Sequence, residues 1–452
     1  MPHDRSKWYI RPYFHLFIDP CSLPHGPTAG SPPREAGREG KAMTGNSAGS
    51  IPSPRELRCL CGEYYPSRKN GFDLLDAPDI CLAWLSGVLH QSPVPAPDIP
   101  PGTWESFMEL LSPHQILPYL YYCLREAPPD FRPPAPVMKM MHNRFLYTLY
   151  SADCSVKQAA EITSACDKKG IKVLVMKGDA LGQTVYPHFA TRTGSDIDLL
   201  VSPGQYTGCR DVLLDRGYHL GYDTFRVMPE FYHHACYIPG RQRKDQKVVE
   251  LHWRPVFLPG PGHEVSSAEL VRRSSRTTTP YGTINTLDPV DAFFLTSIHM
   301  CLAHEPMLRL SWVIDISLLA KEITSKGLWP EAMTRSTEWQ GRFAAERAVA
   351  LTGYWTGLKI PVEYDFSMWP VQGVADEFAN YHMHERRAGK ELLLHQIVAG
   401  MPTIPKKVRA IYHWVFRPDL IYGGHQNISW WETPLVHARM LYNNYRQIRK
   451  ID

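Results

Sequence analysis

The apolar positions of the chain change period twice. From Phe72 to Lys169 they recur at helical spacing. Leu74, Leu75, Ile80, Leu82 and Leu85 mark a helix near Pro78, and Trp104–Leu111 and His114–Arg125 mark two more. The Pro-rich stretches SPVPAPDIPPG and APPDFRPPAP read as linkers. A long helix is expected from Val137 to Lys169, with Phe145, Leu146, Leu149, Val156, Ala160 and Ile162 among its apolar positions. Lys168, Lys169 and Gly170 close it. At residue 171 an α/β pattern begins. Lys172–Met176 reads as a strand, Ala180–Tyr186 as a short helix, and Asp196–Val201 as a second strand. A helix follows from Pro203, with Leu213 and Leu214 facing inward and Gly217 as its stop. Tyr218–Tyr222 reads as a short strand. His234–Ile238 and Lys247–Trp253 read as a hairpin across PGRQRKDQ. In the second arm Val249, Leu251 and Trp253 share one face, and Val248, Glu250 and His252 the other. Beyond Asp288, an expected N-cap, helical spacing returns. Two apolar helices break near Pro306, and others are expected at Trp339–Leu358, Val374–Val398 and Pro434–Lys450.

This order predicts an α/β core over residues 171–286, between a helical region at 56–170 and another at 287–452. Residues 1–55 are rich in Pro, Gly, Ser and charge. They hold too little apolar surface to offset the entropy of ordering, and a disordered tail is expected there.

Composition narrows the partners and the compartment. The chain has 452 residues, too many for one compact core, with 44% hydrophobic and 21% charged residues. A net charge of +4 gives no separate argument for nucleic acid or a membrane as partner. The ten cysteines are scattered, and Cys59 and Cys61 have no second pair at zinc spacing, which suits reduced thiols in the cytoplasm. No apolar run approaches the roughly 18 residues of a membrane span; Trp312–Ala320 is short and contains Asp315. The N-terminus lacks an apolar h-region, so no signal peptide is read.

The candidate chemistry lies in VLVMKGDALGQTVYPHFATRTGSDIDLLV, residues 173–201. Asp196 and Asp198 stand two apart on one strand, so their carboxylates project to one face and can hold a hard cation such as Mg²⁺. Gly178 ends the preceding strand in a turn whose amides can face a phosphate. Lys177 offers a point charge, and Arg192 a planar fork suited to phosphate oxygens. Glu250 lies inside a later apolar strand, where a lone charge is costly without a partner or a role.

Together, LVMKGDAL, VYP, SDIDLLV, VVELHWRP and DPVDAFFLTSIHMCLAHE followed by RLSWVIDISLLA resemble the poorly characterised bacterial nucleotidyltransferase family of the polymerase β-like superfamily. The resemblance covers roughly residues 70 to 330. It implies an α+β fold, a small mixed β-sheet core flanked by N-terminal and C-terminal helical regions. It also implies transfer of an NMP from an NTP, ATP first among them, to an unidentified hydroxyl-bearing acceptor. Two Mg²⁺ ions would lie on Asp196, Asp198 and Glu250, with Glu250 as base toward the acceptor. Lys177, Gly178, Asp179, Arg192 and Ser195 would lie around the nucleotide. One departure is the Gly178-Asp179 turn, where the superfamily usually has Gly-Ser or Gly-Gly.

Several residues carry competing readings. Asp179 reads first as a cap of the Ala180 helix. His233 and His234 read as hairpin-edge histidines. His252 shares the face of Glu250 and is a candidate site contact, and Arg254 could reach a phosphate or form a surface ion pair. Asp315, with Arg309 one and a half turns earlier, reads first as an ion pair packing the helical region on the α/β core. Alternatively, either residue lines the acceptor or nucleotide cleft. His299 and His304 read as core or helix-surface residues, and RMLYNNYRQIRK as a solvated basic helix. Two other functions remain open: a non-catalytic nucleotide- or partner-binding module on the same fold, and a metal-dependent phosphodiesterase.

Overall fold

A computed structural model describes residues 77–370 except 93, 193, 223–224, 226–232, 241–245, 257–261, 263–264 and 304–307, together with 74, 404 and 408. The tail at 1–55, Cys59 and Cys61, His304, the two expected helices beyond residue 371 and the basic C-terminal segment lie outside the described residues.

Helices α1 (Asp79–Leu89), α2 (Pro101–Leu111) and α3 (Leu117–Leu124) lead into the long α4 (Ala135–Asp167). Gly170, at φ +73°, supplies the left-handed residue that ends it. Strand β1 (Leu174–Met176), helix α5 (Lys177–Thr184) and strand β2 (Asp196–Leu200) follow, then α6 (Tyr206–Asp215) and β3 (Tyr218–Tyr222). Strands β4 (His234–Pro239) and β5 (Val248–His252) form the expected hairpin. Helix α7 (Ser267–Arg273) and a second hairpin, β6 (Ser275–Thr279) and β7 (Gly282–Thr286), are additions to the expected elements. The C-terminal helices are α8 (Pro289–Ile298), ending in a π turn at His299–Ala303, then α9 (Leu310–Ser325), α10 (Trp329–Trp339) and α11 (Arg342–Thr356). Asp288 caps α8 as expected, its carboxylate accepting from the amides of Val290 and Asp291.

Three local expectations are corrected. Leu214 is exposed, and only Leu213 of the pair faces the core. The helix expected over Trp339–Leu358 is broken at Gln340, which is left-handed, so Trp339 ends α10 rather than starting α11. Helix α5 begins at Lys177, three residues early, and the left-handed residue of the turn is Lys177 at φ +53°, not Gly178.

The seven strands form one mixed sheet in the order β3-β4-β5-β2-β1-β7-β6. The period of two along each strand divides its side chains between two faces. Val175, Ile197, Leu199, Val249, Leu251 and Tyr237 form one face and pack against α4 and α6 residues such as Ile162 and Leu213. Leu174, Met176 and Leu200 face the other way and join the helical core. In that core α1–α3 and α8–α11 are continuous, so helices that precede the sheet and helices that follow it share one apolar interior. The candidate carboxylates stand on this second face, where the strands end beyond its apolar rows.

Candidate active site

Strand register assembles the site. β2 and β5 run parallel with Asp198 opposite Glu250 and Leu200 opposite His252. β1 is antiparallel to β2 with Met176 opposite Asp198. β4 is antiparallel to β5 with Cys236 opposite Glu250 and His234 opposite His252. One row of the face therefore reads Met176, Asp198, Glu250, Cys236. The next reads Leu174, Leu200, His252, His234, and Asp196 stands one row toward the opposite end.

Asp198 is the hub. Its Oδ1 accepts from Lys177 Nζ at 2.7 Å and from His252 Nε2 at 2.9 Å. Burial pushes this carboxyl up, but Lys177 and His252 outweigh burial and hold it below the usual range. Glu250 lies 3.4 Å from His252 Nε2 and 3.8 Å from His234 Nε2. Burial again opposes its charge, yet His234, His252 and Lys177 keep it well below the carboxylate range. Lys177 is pulled down by burial and held up more strongly by Asp198, Glu250 and Asp196. The ammonium that meets Asp198 sits on the residue with positive φ. An ordinary side chain in that region costs roughly 1–2 kcal/mol, and the ion pair offsets the strain.

Asp196 differs from its neighbours. Its partner is Ser195 Oγ at 3.2 Å, and burial with the charges of Asp198 and Glu250 pushes its carboxyl up to about 7. The native state therefore holds this proton up to neutrality, whereas an ordinary carboxyl releases it near 3.8. Between these values the native state binds more protons than the unfolded chain, so stability of the metal-free protein falls as pH rises. Each tenfold gain in proton affinity corresponds to about 1.4 kcal/mol, so the penalty above neutrality is on the order of 4 kcal/mol. Asp196→Asn is expected to melt higher than wild type at about pH 8 without metal, with the gap narrowing toward pH 5. Melts of both proteins across that range check it; a gap independent of pH would count against this origin.

The other expected site residues are placed as follows. Gly178 lies in the first turn of α5, and a methyl there would sit 3.6 Å from Arg192 Nη1, an ordinary contact. Asp179 makes no side-chain cap to α5; its Oδ2 accepts from Ser155 Oγ at 2.6 Å, and its Oδ1 lies 3.7 Å from Lys247 Nζ. Lys247, expected only as a strand residue, is thus a second largely buried cation near the turn. Its main chain is fixed by Gln158, which pairs with both its N–H and its C=O.

Arg192 turns its fork to Asp315, with Nε and Nη2 each 2.8 Å from a carboxylate oxygen. Tyr186 Oη donates to the same carboxylate at 2.6 Å. The expected ion pair between helical region and core therefore exists, but its cation is Arg192 rather than Arg309, whose guanidinium lies 5.2 Å from the Trp312 ring centroid. Arg254 lies just past β5, its amide 3.4 Å from the His233 carbonyl. His233 precedes β4 and His234 opens it, ahead of the pairing with β3 that begins at Cys236, and both rings pack against His252.

The profile of a family described as uncharacterised nucleotidyltransferase matches residues 100–357, more than half of the chain. The chain belongs to that family. The nucleotidyltransferase match spans the whole sheet, α2 to α11 and every site residue named above. No curated protein matches the chain. Among the described residues every cysteine is a free thiol, and no helix is long and apolar enough to cross a membrane.

Proposed function

We propose that the chain transfers an NMP from an NTP, with ATP the first candidate, to a hydroxyl of an acceptor molecule, in a Mg²⁺-dependent reaction that releases pyrophosphate. The observation that carries this reading is the in-register pair Asp198–Glu250 with Asp196 on the same face, beside the N-terminus of α5. The donor set fits a hard divalent cation. Three carboxylates crowd together, and one of them keeps its proton to about 7 because burial and the charges of Asp198 and Glu250 disfavour its ionised form. Asp196, Asp198 and Glu250 would hold that cation, which when bound supplies charge neutralisation for the triphosphate and acidifies the acceptor hydroxyl.

The chain's own residues do the rest. The first amides of α5 have no intrahelical partner and can bind a phosphate at the positive end of the helix. Lys177 and Lys247 add charge on either side of that turn. Glu250 stays ionised at neutral pH, which suits a charged ligand that accepts a hydrogen bond from the acceptor hydroxyl better than a strong proton sink. Arg192 is committed to Asp315 and supports α5 from behind.

Incubation with α-labelled NTPs, Mg²⁺ and fractionated cell extract tests the reading. Label should move to one fraction, and the transfer should disappear with chelator and with Asp196→Asn. Label released only as free NMP without an acceptor would favour a phosphodiesterase. No transfer in any fraction, with Asp196→Asn indistinguishable from wild type, would overturn the proposal.

A further inference from the structure

The face that carries the carboxylates continues into a cluster of a different chemistry. One ring nitrogen of each of His233, His234 and His252 lies within 4.8 Å of the others. His234 Nδ1 is 2.9 Å from His233 Nε2, a separation at which two imidazole nitrogens share either a proton or a cation. The ring centroids of His233 and His234 lie 5.0 and 4.9 Å from that of His252. Nitrogens bound to one tetrahedral Zn²⁺ at about 2.0–2.1 Å stand about 3.3 Å apart, so the cluster needs only small rotations to close on an ion.

His252 supplies the second observation. It is fully buried, and its Nε2 is engaged by Asp198. Its Nδ1 is buried with no hydrogen-bond partner among the described residues. A buried polar nitrogen without a partner costs free energy. Metal-bound histidines have the same arrangement, one ring nitrogen held by a carboxylate and the other free to ligate.

We propose that His233, His234 and His252 form a nitrogen-rich site for a first-row transition-metal dication of the Zn²⁺ class, one row along the sheet from the carboxylates. Imidazole donors favour such ions over Mg²⁺, which selects oxygen. Glu250 approaches the opposite nitrogens, Nε2 of His234 and of His252, and orients those rings as Asp198 does, leaving the shell to be completed by water. His252, which touches Asp198, is the residue through which this site and the carboxylate site meet. The histidine site stands whether or not the chain transfers a nucleotide.

The test uses the full chain, stripped with chelator and titrated with Zn²⁺ alone, then with Zn²⁺ in excess Mg²⁺, with no nucleotide present. One equivalent should be retained in both titrations. X-ray absorption of the Zn²⁺-loaded wild type should show a first shell dominated by imidazole nitrogen. His233→Gln and His234→Gln should each weaken Zn²⁺ binding by about tenfold or more, with circular dichroism confirming that they fold. An oxygen-only shell, displacement by Mg²⁺, or unchanged affinity in both variants would overturn the proposal. If neither variant folds, the wild-type absorption spectrum decides alone. Because no NTP is used, failure here is separate from failure of the transfer assay.

Discussion

Asp198→Asn is expected to lower the rate of nucleotidyl transfer by about 10³-fold or more, equivalent to roughly 4 kcal/mol of transition-state stabilisation. Asn keeps the shape of the side chain and removes the charge that Lys177 and His252 use. Lys177 and His252 both donate to this carboxylate, and Glu250 stands opposite it across β2–β5. Loss of the charge removes one of the proposed cation ligands and frees Lys177 from the contact that offsets its left-handed backbone. The substitution should therefore act on chemistry and on the geometry of the turn together. Single-turnover assays with labelled NTP read the combined effect on rate. Mg²⁺ titration without NTP reads the lost ligand independently, and binding should weaken there too. A variant that kept both Mg²⁺ affinity and rate within about threefold of wild type would exclude Asp198 from the site.

The second large effect concerns stability. Arg192 and Asp315 form a two-pronged pair with both side chains almost wholly buried, and Tyr186 adds a third hydrogen bond. Removing one member of such a pair leaves the other charged and buried, which typically costs about 3–5 kcal/mol. Arg192→Met is expected to lose that much, measured by denaturant or thermal unfolding. Asp315→Leu alone should be comparable, while the double variant should recover part of the loss because no unpaired charge remains. Additive losses would mean that the two side chains are not coupled. Since Arg192 also backs the first turn of α5, Arg192→Met should raise the KM for NTP more than a stability loss elsewhere in the helical layer would.

Much of this site is legible in the sequence because strands impose a period of two. The face shared by Asp196 and Asp198, and that shared by Glu250 and His252, follow from counting. So does the opposite apolar face of Val249 and Leu251. What counting cannot supply is register. The β4–β5 hairpin is legible along the chain, but the register that sets His234 opposite His252 is not. The same limit applies to Arg192 and Asp315, which lie on separate elements more than a hundred residues apart; along the chain the nearer Arg309 is the natural but wrong partner. The β6–β7 hairpin escapes for a different reason. SRTTT and GTINT are Thr-rich strands with little apolar alternation, and their signal is β-branching and the Pro280-Tyr281 turn rather than hydrophobicity. Leu214 shows the reverse failure, an apolar residue on a helix whose buried face is already filled by Cys209, Val212 and Leu213.

The placement of β1 also bears on the order in which the molecule is made. One flank of β1 is covered by β2, which follows soon after it, but the other is covered only by β7, through Leu174–Asn285 and Val175–Thr286. That pairing closes a loop of roughly a hundred residues, the sort of non-local contact that slows folding. During synthesis every carboxylate of the site has emerged by Glu250, yet the strand leading into the Lys177 turn still has a bare apolar edge. A chain ending at Trp253 would carry all three acids on a sheet with an open, adhesive edge at β1. The last strands to arrive contribute no acid to the site, but they are what makes it safe to assemble.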